Sequence, residues 1–475
     1  MNSIIDSWTN AKENSKRLIK QLEDRFHLAR ERGEEAYLFT LTLKWTVLSV
    51  GAGLMAGLGS RLFLYLLYTF SDYSSQHRYY FLCLPIVLPF CIFLVDRFAP
   101  KMRGKLEGTE VAIHAINEVY GEMDTSAVPI NLSNSILTVA AGGSVGKEGP
   151  CALIGAALAS LAARILKFSK DDARTFVICG ISGGFAAVFG LPIAGAMFGI
   201  EALYVGAIEY SVLFPCVISG IIAHLVCFQN PLGMPTRLPL LHEGALKFLG
   251  ISLVMGVIFG LVAILLVEIM NLTKQIVKPL ANHPYLLAFI GGCVLAAIYM
   301  IAGPEYAGLG IPTITLALTG GKIFVLAFLI KMAVTSVTLG TGGSGGIVTP
   351  IFFIGATCGS VVARWFHIPM EYGALFGLVG VLSGATNTPI ASMVMAVSMM
   401  PGLRVESALV VSTAFLISGN RSVIGAQRIV RAKLKPATLH PEATVGSVFA
   451  QRKSGWKVAR RWSRGLLRGS GRSKR

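Results

Sequence analysis

Long apolar runs, separated by short polar or glycine-rich interruptions, set the pattern of this chain. Leu38 to about Phe70 is the first run able to cross a membrane, and Tyr79 to about Val95 is the second. Asn131–Leu166, Thr175–Leu203 and Leu213–Phe228 follow in the first half. Phe248–Met270, Leu286–Ile301, a short segment near Gly308–Leu318, Ile323–Leu339 and Ala408–Ile417 occupy the second. About 20 apolar residues in a helix span roughly 30 Å of hydrocarbon. The pattern therefore predicts an all-α polytopic membrane protein. Several runs fall short of that length, which predicts tilted, broken and re-entrant helices. Residues 1–37 read differently. Their charged positions are interleaved with Ile4, Ile5, Trp8, Leu18, Ile19, Leu22 and Phe26, the apolar side of an amphipathic helix that lies on the membrane or under the bundle. The expected organisation is that helix at 1–37, membrane repeats at 38–230 and 244–433 joined by a short polar link, and a basic tail at 434–475.

The two halves are related. Gly142–Arg164 reads GGSVGKEGPCALIGAALASLAAR and Gly342–Arg364 reads GGSGGIVTPIFFIGATCGSVVAR; aligned without a gap, these 23-residue stretches agree at 11 positions. Shared composition alone does not produce that register, so the chain carries an internal duplication. In each copy a glycine-rich break opens a helix inside the membrane. The first N–H groups of such a helix lack intrahelical partners. In hydrocarbon they need cover from protein or a polar cavity. Together with the helix dipole they form an anion site, and paired broken helices point to a midplane binding site. A second break recurs as Pro192-Ile-Ala194 and Pro389-Ile-Ala391.

Composition agrees with the apolar pattern: 53% of the 475 residues are hydrophobic, 14% are charged, and mean hydropathy is +0.65. A soluble chain carries about a quarter charged residues. The net charge of +17 is concentrated. Residues 428–475 hold 14 Lys/Arg against one acid, Glu442, so +13 sits there and the fold itself offers no nucleic-acid surface. The tail reads as a solvated basic segment, or as a basic amphipathic one adhering to anionic lipid through Trp456, Trp462, Leu466 and Leu467. The eight cysteines are scattered without CxxC spacing and read as small buried hydrophobes. No metal-ligand pattern or cofactor motif is present, and neither HExxH nor GxSxG supports an intramembrane enzyme. A phosphate-loop reading of Ser144-Val-Gly-Lys-Glu148 fails, because Ala141 replaces the first glycine and Glu148 the Ser/Thr. Basic residues at both ends favour cytoplasmic termini of a multi-pass inner-membrane (plasma-membrane) protein.

Gly146-Lys-Glu-Gly-Pro150, with Gly346-Ile-Val-Thr-Pro350 half a chain later, resembles the CLC family of chloride channels and proton–chloride antiporters. The stretch Phe189–Glu201 is similar to that family's approach to its internal glutamate, and the resemblance covers roughly 38–433. It implies an inverted-repeat homodimer in the lipid bilayer, with an anion pathway in each subunit and chloride as the default substrate. It makes Glu148 the gate, a carboxylate that occupies an anion site and leaves on protonation. It assigns anion binding to Gly146, Lys147, Gly149, Gly346, Ile347, Val348, Thr109 and Ile424.

Departures from the family pattern refine this. The first anion-coordinating motif is replaced by Lys105-Leu-Glu-Gly-Thr-Glu-Val111; Thr109 offers a hydroxyl, while Glu107 and Glu110 do not hold an anion when ionised. The family's second-loop phenylalanine is Val348, whose N–H still faces the anion. Its coordinating tyrosine aligns with Ile424, which weakens the inner site. Its internal proton glutamate aligns with Ala202, so Glu201 or water takes over the proton path, or coupling is lost. The expectation is CLC-type anion transport, channel-like or loosely proton-coupled. The rivals are fluoride–proton or chloride–proton antiport, against the first of which Pro150 speaks, and a non-transporting membrane sensor or scaffold.

Overall fold

A computed structural model gives the structure of the chain and describes residues 2–100, 108–228, 245–399, 402, 404–433 and 444–445. Glu107, the link at 229–243 and all of the tail 434–475 except 444–445 lie outside the described residues. Two compact units are present, Met1–Ser49 and Val50–Arg475. The first helix, α1 (Asn2–Ser75), takes in both the charged N-terminal segment and the first long apolar run.

The rest of the first half forms α2 (Leu84–Phe98), α3 (Thr109–Glu118), α4 (Val128–Ala140), α5 (Glu148–Ile165), α6 (Lys170–Phe189), α7 (Pro192–Glu201) and α8 (Leu213–Cys227). The second half forms α9 (Ala245–Val277), α10 (Pro284–Ala302), α11 (Ile311–Leu318), α12 (Ala327–Gly340), α13 (Val348–Trp365), α14 (Met370–Thr386), α15 (Pro389–Met399) and α16 (Arg404–Ile417). Among the described residues, eight helical segments are long and apolar enough to cross a membrane, and α4, α12, α15 and part of α16 are shorter apolar helices. This is the expected all-α polytopic architecture.

The halves match element for element. Helices α5 and α13 each have 18 residues and begin two hundred residues apart. α6 closes on Gly190 in the left-handed region and α7 restarts at Pro192; α14 closes on Asn387, also left-handed, and α15 restarts at Pro389. In both places a left-handed residue stops one helix, and a proline in the first turn begins the next without needing its missing N–H. The sequence expectation of a second break per half is met at these two corners.

Small residues hold the buried helices together. α5 lies on α6 through Gly155 and Gly180, and α13 on α14 through Gly359 and Gly373; a Cβ on Gly155 or Gly359 would collide with the carbonyl oxygen of its partner glycine. Apolar association adds little inside a bilayer, so close backbone approach at such positions supplies the dispersion energy. The two halves also meet in a short parallel ladder, in which β1 (Tyr204–Val205) pairs with β2 (Arg428–Ile429).

Gly359→Val should therefore be overpacked by about 1–3 kcal/mol or more, read as loss of the monodisperse elution peak in detergent. Gly250→Ala, at a position with open space around it, should elute like the parent. Equal behaviour of the two variants would contradict this account of α13 on α14.

Candidate functional site

Two glycine-rich loops meet at the start of α5 and α13. Gly142 and Gly342 turn with φ of +95° and +104°, a region in which side chains are strained. The next N–H groups turn back: Gly143 donates to Thr138 O and Gly343 to Thr338 O. The serine N–H groups then cross between halves, Ser144 to Thr338 Oγ1 at 3.1 Å and Ser344 to Thr138 Oγ1 at 3.2 Å. Finally Gly146 donates to Gly346 O at 2.5 Å and Gly346 to Gly146 O at 2.7 Å, an antiparallel bridge. Each bond has a counterpart with the partners exchanged, which is the mark of a local two-fold between inverted repeats.

Glu148, in the first turn of α5, is 2% exposed. Its carboxylate is seated on the other repeat's helix start: Oε2 accepts from the Thr349 N–H at 2.9 Å and Oε1 from the Thr349 hydroxyl at 2.5 Å. The helix start of α13 thus holds an acid, the charge that N-terminal N–H groups and the helix dipole favour. Gly146 makes room for this seat, because a Cβ there would stand 2.6 Å from Glu148 Oε2 and 3.0 Å from the Thr349 nitrogen. Gly149 is equally confined, against Gly346 and the Thr109 hydroxyl. Three helix starts, those of α3, α5 and α13, therefore converge.

A cavity of about 910 Å³ opens beside them, and its wall includes Thr109, Gly149, Gly346, Ile347, Val348 and Ile424. Six of the residues expected at an anion site are thus brought together. Two others serve differently. The Gly146 N–H, like that of Gly346, is spent on the opposite loop. The Lys147 side chain is buried toward α1, with its ammonium donating to the Tyr68 hydroxyl at 2.5 Å and lying 5.2 Å from that ring's centre. Ile424 is 5% exposed and offers only apolar surface.

Glu201, the last residue of α7, is 4% exposed. Its two oxygens accept from the Ile390 N–H at 3.0 Å and the Ala391 N–H at 2.8 Å, at the start of α15. Ala202 caps α7 and is buried. Glu110, in the first turn of α3, reaches the Gly425 N–H at 2.6 Å. Among the described residues, no three His, Cys, Asp or Glu gather as a metal site.

Sequence reasoning missed Thr349, the Glu110–Gly425 contact, and the aromatic wall of Phe185 and Phe198, whose rings meet edge to face at 4.6 Å and line the cavity. The alignment of the two copies carried a signal for Thr349, since it faces Gly149 across the duplication and alone there brings a hydroxyl. The ring edges bear partial positive charge, which suits an anion path. Nothing in the spacing of Phe185 and Phe198 tells them from ordinary core.

Comparison with known proteins gives the chain's family and fold. A model of the family described as voltage gated chloride channel matches residues 86–419. The chain is 32% identical to a chloride/fluoride channel protein of Pseudomonas syringae pv. tomato over 412 residues, 85% of this chain and 90% of that one. It is 27% identical to an H(+)/Cl(-) exchange transporter of Vibrio cholerae over 335 residues, 65% of this chain and 69% of that one. Among solved structures, a CLC-type fluoride/proton antiporter superposes with a TM-score of 0.75 at 26% identity, covering 82% of this chain and 98% of the other. A slow cyanobacterial Cl-/H+ antiporter, at 20% identity and a TM-score of 0.66, covers 79% and 94% and shares the fold.

Removing the Glu201 carboxylate should leave the Ile390 and Ala391 N–H groups unpaired. Glu201→Ala is expected to cost about 1.5–3 kcal/mol, the range for a hydrogen-bonded charged group, seen as a lower unfolding temperature in detergent. Glu201→Gln keeps one acceptor and should lose less. Equal unfolding temperatures for parent and Glu201→Ala would mean that these bonds do not hold α15.

Proposed function

The chain belongs to the voltage gated chloride channel family, and on that premise we propose that it conducts a small halide across the membrane with Glu148 as the gate. One observation carries this reading: the Glu148 carboxylate sits on the Thr349 N–H and hydroxyl at the start of α13, beside the cavity shared by Gly149, Gly346 and Val348. A carboxylate and a halide compete for the same donors, so the site alternates between the tethered acid and the travelling ion. Protonation removes the tether's charge and frees the N–H. No bond is made or broken covalently, and the protein acts as a conduit rather than an enzyme. Ile347, Val348 and Thr109 supply the remaining contacts, and Ile424 narrows the path without binding.

Flow is passive or loosely coupled to protons in this reading, since Ala202 carries no proton and Glu201 spends both oxygens on α15. Fluoride–proton exchange is the second reading. The chloride/fluoride name of the Pseudomonas relative and the fluoride/proton title of the superposed structure favour it. The hydroxyl-bearing seat at Thr349 also suits a small, strongly hydrated ion. The working unit is a homodimer with one pathway per subunit, and both termini lie on the cytoplasmic side of the inner membrane.

Purified protein in liposomes, followed with fluoride- and chloride-selective electrodes, separates these readings. Parent protein should release at least one of the two halides. In Glu148→Gln and Glu148→Ala the release should be faster at neutral pH and lose the share of its pH dependence that Glu148 supplies, and halide flow in either should no longer carry protons. Gly146→Ala, which crowds the carboxylate's seat, should shift the balance the same way, but less. Unaltered rate and pH profile in Glu148→Gln would remove the gate. Proton uptake driven by a fluoride gradient in the parent would establish exchange over passive flow.

A further inference from the structure

Three acids of the first half each end on backbone N–H groups of the second: Glu148 on Thr349, Glu201 on Ile390 and Ala391, and Glu110 on Gly425. The third is the one that neither the family motif nor the proposed gate explains. Glu110 follows Thr109 in the first turn of α3, and the helix is entered through Gly108 at φ +56°. Its Oε1 takes the Gly425 N–H at 2.6 Å. The neighbouring Ile424 N–H turns away to the Ser422 hydroxyl at 3.0 Å. Thr109, Glu110 and Ile424 line the same cavity as Gly149 and Val348. Lys274 of α9 and His114, one turn along α3, are exposed and line it as well.

We propose that Glu110 is a second gate on the pathway, a tethered carboxylate that occupies the Gly425 N–H where a passing halide would otherwise be held. The proposal rests on the reading of the cavity as an anion path. The chemistry repeats that of Glu148. An acid delivered by one repeat caps a backbone donor of the other, and while ionised it both consumes the donor and repels an anion approaching Thr109. The replacement of side-chain donors by Ile424 makes the Gly425 N–H more valuable, since the neighbouring position offers only apolar surface. The charged or titratable groups that line the cavity with Glu110 are Lys274 from α9, His114 from α3 itself and Asp124 from the turn before α4. Asp124 accepts from the Ser126 N–H and hydroxyl. Lys274 draws halide toward this wall and Glu110 admits it.

A staple that merely ties α3 to the segment after α16 is the alternative, and Glu110→Gln separates the two, because the amide keeps an oxygen for Gly425 and loses the charge. Halide efflux from liposomes should rise at least threefold in Glu110→Gln, and also in Glu110→Ala where that protein elutes as the parent does. Efflux within twofold of the parent, or below it, overturns the gate. Parent liposomes that release no halide would instead sink the transport reading itself, so the two failures are distinct. Should Glu110→Gln not elute as the parent does, Glu148→Ala/His114→Gln puts the same question with Glu110 intact. Its efflux should rise at least threefold between pH 7.5 and 4.5 and keep that rise when Asp124→Asn is added. A flat profile, or a rise abolished by Asp124→Asn, overturns the proposal.

Discussion

The pairing of Gly146 with Gly346 is the constraint from which the rest of the molecule follows. Two helices that begin at depth in a membrane present unpaired N–H groups, which hydrocarbon does not tolerate. This chain meets that cost by letting each loop satisfy the other. Gly146 and Gly346 exchange bonds, while the Ser144 and Ser344 N–H groups reach the threonine hydroxyls of the opposite half. Only glycines bring the loops close enough, and only a two-fold arrangement lets each bond be repeated in reverse. The duplication is therefore what allows a polar junction to be built in an apolar medium.

Beside the junction, Gly149, Gly346, Ile347 and Val348 line the cavity. Acids of the first half are seated on helix starts or loop N–H groups of the second, and among the described residues neither Glu148 nor Glu201 forms an ion pair with Lys or Arg. Backbone dipoles, rather than side-chain cations, stabilise them. Such donors are fixed in place and carry no full positive charge. Lys147, the nearest cation by sequence, is directed onto Tyr68 instead.

Much of this was legible beforehand. Apolar run lengths predicted the helices, because bilayer thickness fixes how many residues a span needs. The 11 shared positions exposed the duplication, and the repeated Pro192-Ile-Ala194 and Pro389-Ile-Ala391 marked the corners, since proline suits the first turn of a helix. The motif around Glu148 identified an acid at a helix start. The N-terminal helix was legible as helix, but its passage into the first span as one element, α1, was not, since charge content changes near residue 37 while helical propensity does not.

The sequence by itself determined where helices begin, that two of them begin at matching breaks, and which acids lie nearby, because those properties depend on neighbours a few residues apart. Only the tertiary structure decided what each acid touches. Glu148 lies beside its own helix start in sequence yet is seated on Thr349, 201 residues away, and Glu110 finds Gly425 at a separation of 315. Gly146 and Lys147 stand in the anion motif, yet one spends its N–H on the opposite loop and the other its ammonium on Tyr68. Such partners are set by how two repeats fold back on one another. A linear pattern, which records only local spacing, holds no measure of that closeness.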